Sequence, residues 1–147
     1  MSEEEYRNYA VTDAGVYPDE AFEGELVEHW DNGLLKFKGK FDQGRKRTGL
    51  HVCYWENGAL HEVAYWRDGW NVGTLLRFRE NGTRQTERNF GENGSQSQSW
   101  TEKRFGSDGQ LIATEEWKDG SLIAKWVDDR VANAIKQAQA QLENEAN

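Results

Sequence analysis

Between residues 24 and 126, short runs in which apolar and polar side chains take turns are separated by two-residue breaks ending in glycine. The clearest stretch is GLHVCYWENGALHEVAYWRDGWNV, from Gly49 to Val72. Alternation with a period of two marks strands whose successive side chains face opposite sides of a sheet. Asn57-Gly58 and Asp68-Gly69 break the runs, and such dipeptides favour tight hairpins because both residues take positive φ at low cost. Pairing about the first break predicts Trp55 opposite Leu60, Tyr54 opposite His61, Cys53 opposite Glu62 and Val52 opposite Val63.

The unit recurs in register. Gly33, Gly58, Gly82 and Gly109 close the first breaks, 25, 24 and 27 residues apart, and Gly44, Gly69, Gly94 and Gly120 the second, 25, 25 and 26 apart. An aromatic stands eight residues after each first glycine, at Phe41, Trp66, Phe90 and Trp117. A glycine stands nine residues before it at Gly24, Gly49 and Gly73, where the fourth copy has Trp100. A fixed period of this size signals a repeat architecture. One face is expected to carry Trp30, Leu35, Phe37, Phe41, Cys53, Trp55, Leu60, Trp66, Phe90, Leu111, Ala113 and Trp117. In the third copy, positions that are mostly apolar or small elsewhere hold Arg77, Arg79, Arg84 and Arg88. The polar stretch GENGSQSQSW (91–100) predicts a bulge or loop before the fourth hairpin.

The ends differ. Residues 1–20 show no period, and read as a solvated leader or as a segment anchored by Tyr6, Tyr9, Val11, Val16 and Tyr17. From Val127 the period becomes helical: Asp128 or Asp129 supplies a cap, and Val131, Ile135, Ala138 and Leu142 form one apolar stripe. The chain therefore divides into an acidic leader (1–23), a β-hairpin repeat array (24–126) and a C-terminal helix (127–147). The expected fold is mainly β, an open antiparallel meander of about four hairpins. The helix is expected to pack as a cap, because an open array exposes an edge strand.

Composition narrows the function. The net charge of −8 lies at the ends: residues 1–25 carry −7, residues 26–126 carry +1, and residues 127–147 carry −2. An acidic chain is repelled by nucleic acid and anionic lipid, so a basic protein is the more natural partner. A single cysteine, no basic-then-apolar leader and no membrane-length apolar run fit a soluble cytoplasmic protein. The run Arg45-Lys46-Arg47 reads as a solvated loop.

The stretch HWDNGLLKFKGKFDQGRKRTGLHVCYWENGALHEVAYWRDGWNVGTLLRFRENG resembles tandem MORN repeats of the bacterial kind. Tyr54, Trp55, Asn57, Gly58, Trp66, Gly69 and Gly73 match the hallmark in the second copy, and Trp30, Asn32, Gly33, Phe41, Gly44 and Gly49 in the first. The third matches at Phe78, Asn81, Gly82 and Phe90; the fourth departs at Gly106 and Asp108. The resemblance implies an extended hairpin sheet and protein binding. Bacterial proteins of this kind resemble YwqK-type antitoxin or immunity proteins, and eukaryotic ones scaffolds.

No P-loop, GxGxxG, HExxH or paired-cysteine motif is present. His51, Cys53 and Glu62 share a predicted face, and offer a nucleophile triad or metal ligands. The competing reading is a small buried thiol among aromatics. The expectation is a non-enzyme without cofactor or metal: an immunity protein that occludes a toxin's active site, or alternatively a general interaction scaffold. Its partner is expected to be a basic toxin directed at nucleic acid or nucleotides, with no nucleic acid or membrane bound directly. Candidate contacts are Glu28, Trp30, Trp55, Glu62, Trp70, Arg77, Arg79, Arg84, Arg88 and Trp100.

Overall fold

A computed structural model describes residues 23–43 and 46–146. The expected leader, except for Glu23, lies outside these residues, as do Gly44 and Arg45. Nine strands pair strictly in chain order in one open antiparallel sheet. They are β1 (Gly24–His29), β2 (Leu35–Asp42), β3 (Lys46–Tyr54), β4 (Leu60–Arg67), β5 (Trp70–Phe78), β6 (Arg84–Asn89), β7 (Trp100–Phe105), β8 (Leu111–Lys118) and β9 (Ser121–Val127). Helix α1 (Asp129–Ala146) follows, and a 3-10 turn (Ser95–Ser97) lies in the expected loop before β7.

The two kinds of break fold differently. At Asp68-Gly69 and Asp119-Gly120 both residues have positive φ (53° and 83°, 51° and 80°), a tight two-residue turn. At Asn57-Gly58 only the glycine does (88°). There the Gly58 N–H donates to the Trp55 carbonyl (2.9 Å) and the Trp55 N–H to the Ala59 carbonyl (2.7 Å), closing a longer loop with a bulge at the glycine. Cys53 still faces Glu62 and Val52 faces Val63, but Tyr54 pairs with Leu60, not with His61 as the two-residue turn required. Trp55 leaves the ladder, so the predicted Trp55–Leu60 pair does not form.

These loops clasp one another. Each turn Asn or Asp accepts from the backbone N–H two residues on: Asn32 from Leu34, Asn57 from Ala59, Asn81 from Thr83, Asp108 from Gln110. The spare amide then reaches the next copy, Asn32 Nδ2 to the Glu56 carbonyl (2.7 Å) and Asn57 Nδ2 to that of Glu80 (2.9 Å). Trp30 Nε1 donates to the Tyr54 carbonyl (3.2 Å) and Trp55 Nε1 to that of Phe78 (3.1 Å). In the third copy Arg79 takes the tryptophan's place, and its Nη2 donates to the matching Phe105 carbonyl (2.6 Å). The fourth copy is followed by β9 and helix α1, and it holds Gly106 and Asp108, which lack those donors. Its departures from the pattern are those of a terminal repeat.

Residues paired across strands share a face. On the more densely packed face Phe37, Phe41, Cys53 and Ala64 are buried, with Trp66, Phe90, Trp100 and Trp117 extending the row across the sheet. Gly49 and Gly73 adopt positive φ (69° and 66°) where the register of β2 with β3, and of β4 with β5, skips. The β6–β7 ladder, where Trp100 replaces that glycine, runs unbroken.

The helix does not pack as a cap. Asp128 Oδ1 accepts from the Arg130 N–H (2.9 Å), the expected N-cap, and the Asp128 N–H donates to the Ile112 carbonyl (2.8 Å). Beyond the first turn the stripe faces solvent, with Ile135 48 % and Leu142 65 % exposed. Only Val131, Ile135 and Leu142 in that stripe exceed alanine in size, which leaves little area to offset the cost of docking. Edge strand β9 thus keeps Leu122, Ile123 and Trp126 exposed.

Candidate docking face and its arginine-lined hollow

The aromatic end of the packed face is built around His51. Its ring lies 5.4, 5.3 and 6.0 Å from the rings of Phe37, Phe41 and Trp66. Its Nε2 donates to the Lys40 carbonyl (2.7 Å), so Nδ1 accepts from Arg47 Nη1 (3.2 Å). Both nitrogens are used in the neutral form. Burial, set against the Lys40 hydrogen bond and aided by the Arg47 charge, pushes the imidazole pKa down to about 4. Arg47 is itself buried, its guanidinium 5.3 Å from the Trp66 ring and 5.4 Å from that of Phe41. The reading of this residue as part of a solvated run is therefore corrected: ring faces shelter its delocalised charge.

Cys53 and Glu62 do pair, as read from the sequence, but they make no reactive set. Burial first, then the Glu62 charge, push the Cys53 thiol up to about 12. Glu62 is turned to Arg77, whose Nε lies 2.8 Å from Oε1. Among the described residues no three His, Cys, Asp or Glu side chains gather to hold a metal ion. Among them also, no helix is long and apolar enough to cross a membrane.

Toward β8 the same face becomes ionic. Glu102, 4 % exposed, is the hub: Arg88 donates to Oε1 through Nη2 (2.7 Å) and Nε (3.1 Å), and Arg104 Nε to Oε2 (2.9 Å). Burial alone would raise its pKa, but the hydrogen bonds and charges of Arg88 and Arg104 outweigh it and hold the carboxyl below its ordinary value. Glu115 continues the chain with Arg104 (3.5 Å) and Lys125 (3.8 Å). Arg88 also lies over the Trp100 ring (5.3 Å), joining the ionic and aromatic parts.

These side chains frame an open hollow of about 330 Å³, lined by Arg77, Arg79, Arg88, Glu102, Arg104 and an apolar wall that includes Leu75 and Phe105. Of the residues singled out in the sequence, Arg77, Arg79 and Arg88 meet there, with Glu62 beside Arg77 and Trp100 beneath Arg88. Arg84 lies near the wall, over Phe105 (5.5 Å), and pairs with Glu87 (3.3 Å). Glu28 sits apart on β1, half-buried. Trp30 and Trp55 serve the clasps, with Trp55 also stacked on His61 (3.5 Å between centroids). Trp70 is exposed at the start of β5, outside the hollow's lining. Sequence reasoning missed Glu102 and Arg104, and it offered Glu115 as a partner for the arginines of the third copy, where the structure pairs it with Arg104 and Lys125. The signal was the alternation Trp100-x-Glu102-x-Arg104, which puts all three on the face of Trp117.

No family model, curated protein or solved structure matches the chain.

Proposed function

We propose that this protein is a binding module that docks a partner protein on the packed face of its sheet, and that it serves as an immunity protein occluding a toxin's active site. The observation that carries this reading is the face itself: a row of aromatic rings running into a pinned ionic cluster and an open hollow. Such a surface combines the arginine and tryptophan content of interface hot spots with ordered side chains, which lowers the entropic cost of binding. The neutral, doubly bonded His51 and the high Cys53 pKa favour binding over nucleophilic catalysis at the triad.

The toxin assignment rests on the repeat resemblance. It is tested by co-expression with the product of the adjacent gene. The expected result is a complex that co-purifies and cells protected from that product; no complex and no protection defeats the assignment. A second reading, a general adaptor, draws on the exposed apolar side chains of the edge strand, Leu122, Ile123 and Trp126.

A further inference from the structure

We infer that the hollow beside Arg77, Arg88 and Arg104 is a carboxylate-binding site for an acidic side chain flanked by apolar neighbours, as an acidic peptide segment of the partner would present. This deepens the reading above and rests on it for the partner, though not for the chemistry of the site.

The charge balance sets the sign of the ligand. Four guanidinium groups line the hollow with the carboxylate of Glu102, and with Glu62 beside Arg77 and Glu115 beside Arg104 counted, one positive charge is left in excess, in a chain whose net charge is −8. The excess of positive charge is local and runs against the whole-chain balance, so it opposes the cationic partner suggested by net charge.

The hydrogen-bond geometry sets the class. Arg77 uses Nε on Glu62, Arg88 uses Nε and Nη2 on Glu102, and Arg104 uses Nε on Glu102 and Nη2 on Glu115. Both terminal nitrogens of Arg77 and Nη1 of Arg88 and of Arg104 have no protein partner among the described residues. A planar pair of donors on Arg77 matches a carboxylate bidentately, and Arg88 and Arg104 add single bonds. Glu102 acts as a positioning residue: it holds the two arginines apart and in place, so little side-chain freedom is lost when a ligand arrives.

The walls set the rest of the ligand. Leu75, Phe105 and Ile112 line the hollow together with the arginines, and they reward an apolar neighbour of the acid but contribute nothing to a bare inorganic anion. A volume of about 330 Å³ suits two or three side chains and excludes a folded element.

The test uses the whole chain, with the acetylated and amidated tripeptide Leu-Glu-Leu as probe. Its Leu-Gln-Leu counterpart and inorganic phosphate are the comparators. Binding is followed by amide shifts in two-dimensional NMR and by calorimetry. The expected result is saturable shifts confined to residues 75–79, 84–88, 102–105 and 111–113, with both comparators at least about tenfold weaker. Arg77→Gln is expected to weaken the tripeptide about tenfold, equivalent to about 1.4 kcal/mol, and Arg77→Lys to weaken it less. Lys103→Gln, on the opposite face, leaves it unchanged and controls for folding. Equal binding of Leu-Gln-Leu or phosphate, shifts elsewhere, an unaffected Arg77→Gln, or no binding overturns the proposal. Co-expression with the adjacent gene product tests the immunity function independently of all these outcomes.

Discussion

The imidazole of His51 rests on the backbone of Gly39: a Cβ at residue 39 would lie 2.6 Å from Nδ1 and 2.7 Å from Cε1. Gly39 has no positive φ, so glycine is required there for space and not for backbone conformation. Gly39→Ala must displace a ring wedged between Phe37, Phe41 and Trp66, at a cost of about 1–3 kcal/mol typical of overpacking. Urea unfolding followed by tryptophan fluorescence measures it. A variant as stable as the parent contradicts this packing.

The same ring makes stability depend on pH. A histidine whose folded pKa is about 4 against an ordinary 6.5 binds its proton in the unfolded chain first. Its contribution is therefore complete above pH 6.5 and is lost as pH falls toward 4, by about 3 kcal/mol in all. Glu102, held below its ordinary value, loses its contribution at still lower pH. Denaturant midpoints measured from pH 7.5 down to 4.5 should fall steeply, and the slope should be much reduced in His51→Gln.

Arg79 ties the third copy to the fourth through the Phe105 and Gly106 carbonyls (2.6 and 3.2 Å). Arg79→Ala removes these charge-assisted bonds, and should cost about 1.5–3 kcal/mol and speed amide hydrogen exchange in β7–β9 more than in β2–β4. Arg79→Trp, restoring the residue type of Trp30 and Trp55, should recover part of the loss. Uniform acceleration along the array would contradict a local clasp.

Cys53 should be inert. With its thiol pKa near 12 and the side chain buried, a disulfide exchange reagent at pH 8 should label it only in concentrated guanidinium chloride. Rapid labelling of the native protein would place a reactive thiol on this face and revive the nucleophile reading.

Much of the fold was legible because glycine-bearing turns punctuate it. Gly33, Gly58, Gly82 and Gly109, with Gly69 and Gly120, mark six of the connections between strands of the meander. What the dipeptides hide is turn type. Asn57-Gly58 and Asp68-Gly69 look alike, yet only the second has positive φ at both residues, and that shifts Tyr54 onto Leu60. The helix was equally legible as a helix, but whether it docks depends on the area it buries, and three larger apolar side chains on an 18-residue helix offer little. Arg47 reads as a loop cation; only three-dimensional proximity of Phe41 and Trp66 shows why it is buried. The arginine cluster was half visible in the third copy, and its anchor, Glu102, lies beyond the aperiodic polar loop that follows β6.

The central claim is that the face carrying Arg77 and Arg104 meets the partner while the opposite face does not. Arg77 pairs with Glu62 and Thr86, whereas Lys103 pairs with Glu87 and Thr114 on the other side of the sheet. The direct measurement is calorimetric titration of the co-purified partner against Arg77→Glu and Lys103→Glu. The account predicts a loss of about a hundredfold for Arg77→Glu, the scale of breaking a desolvated charge contact, and little change for Lys103→Glu. Equal losses, or a loss confined to Lys103→Glu, would contradict it.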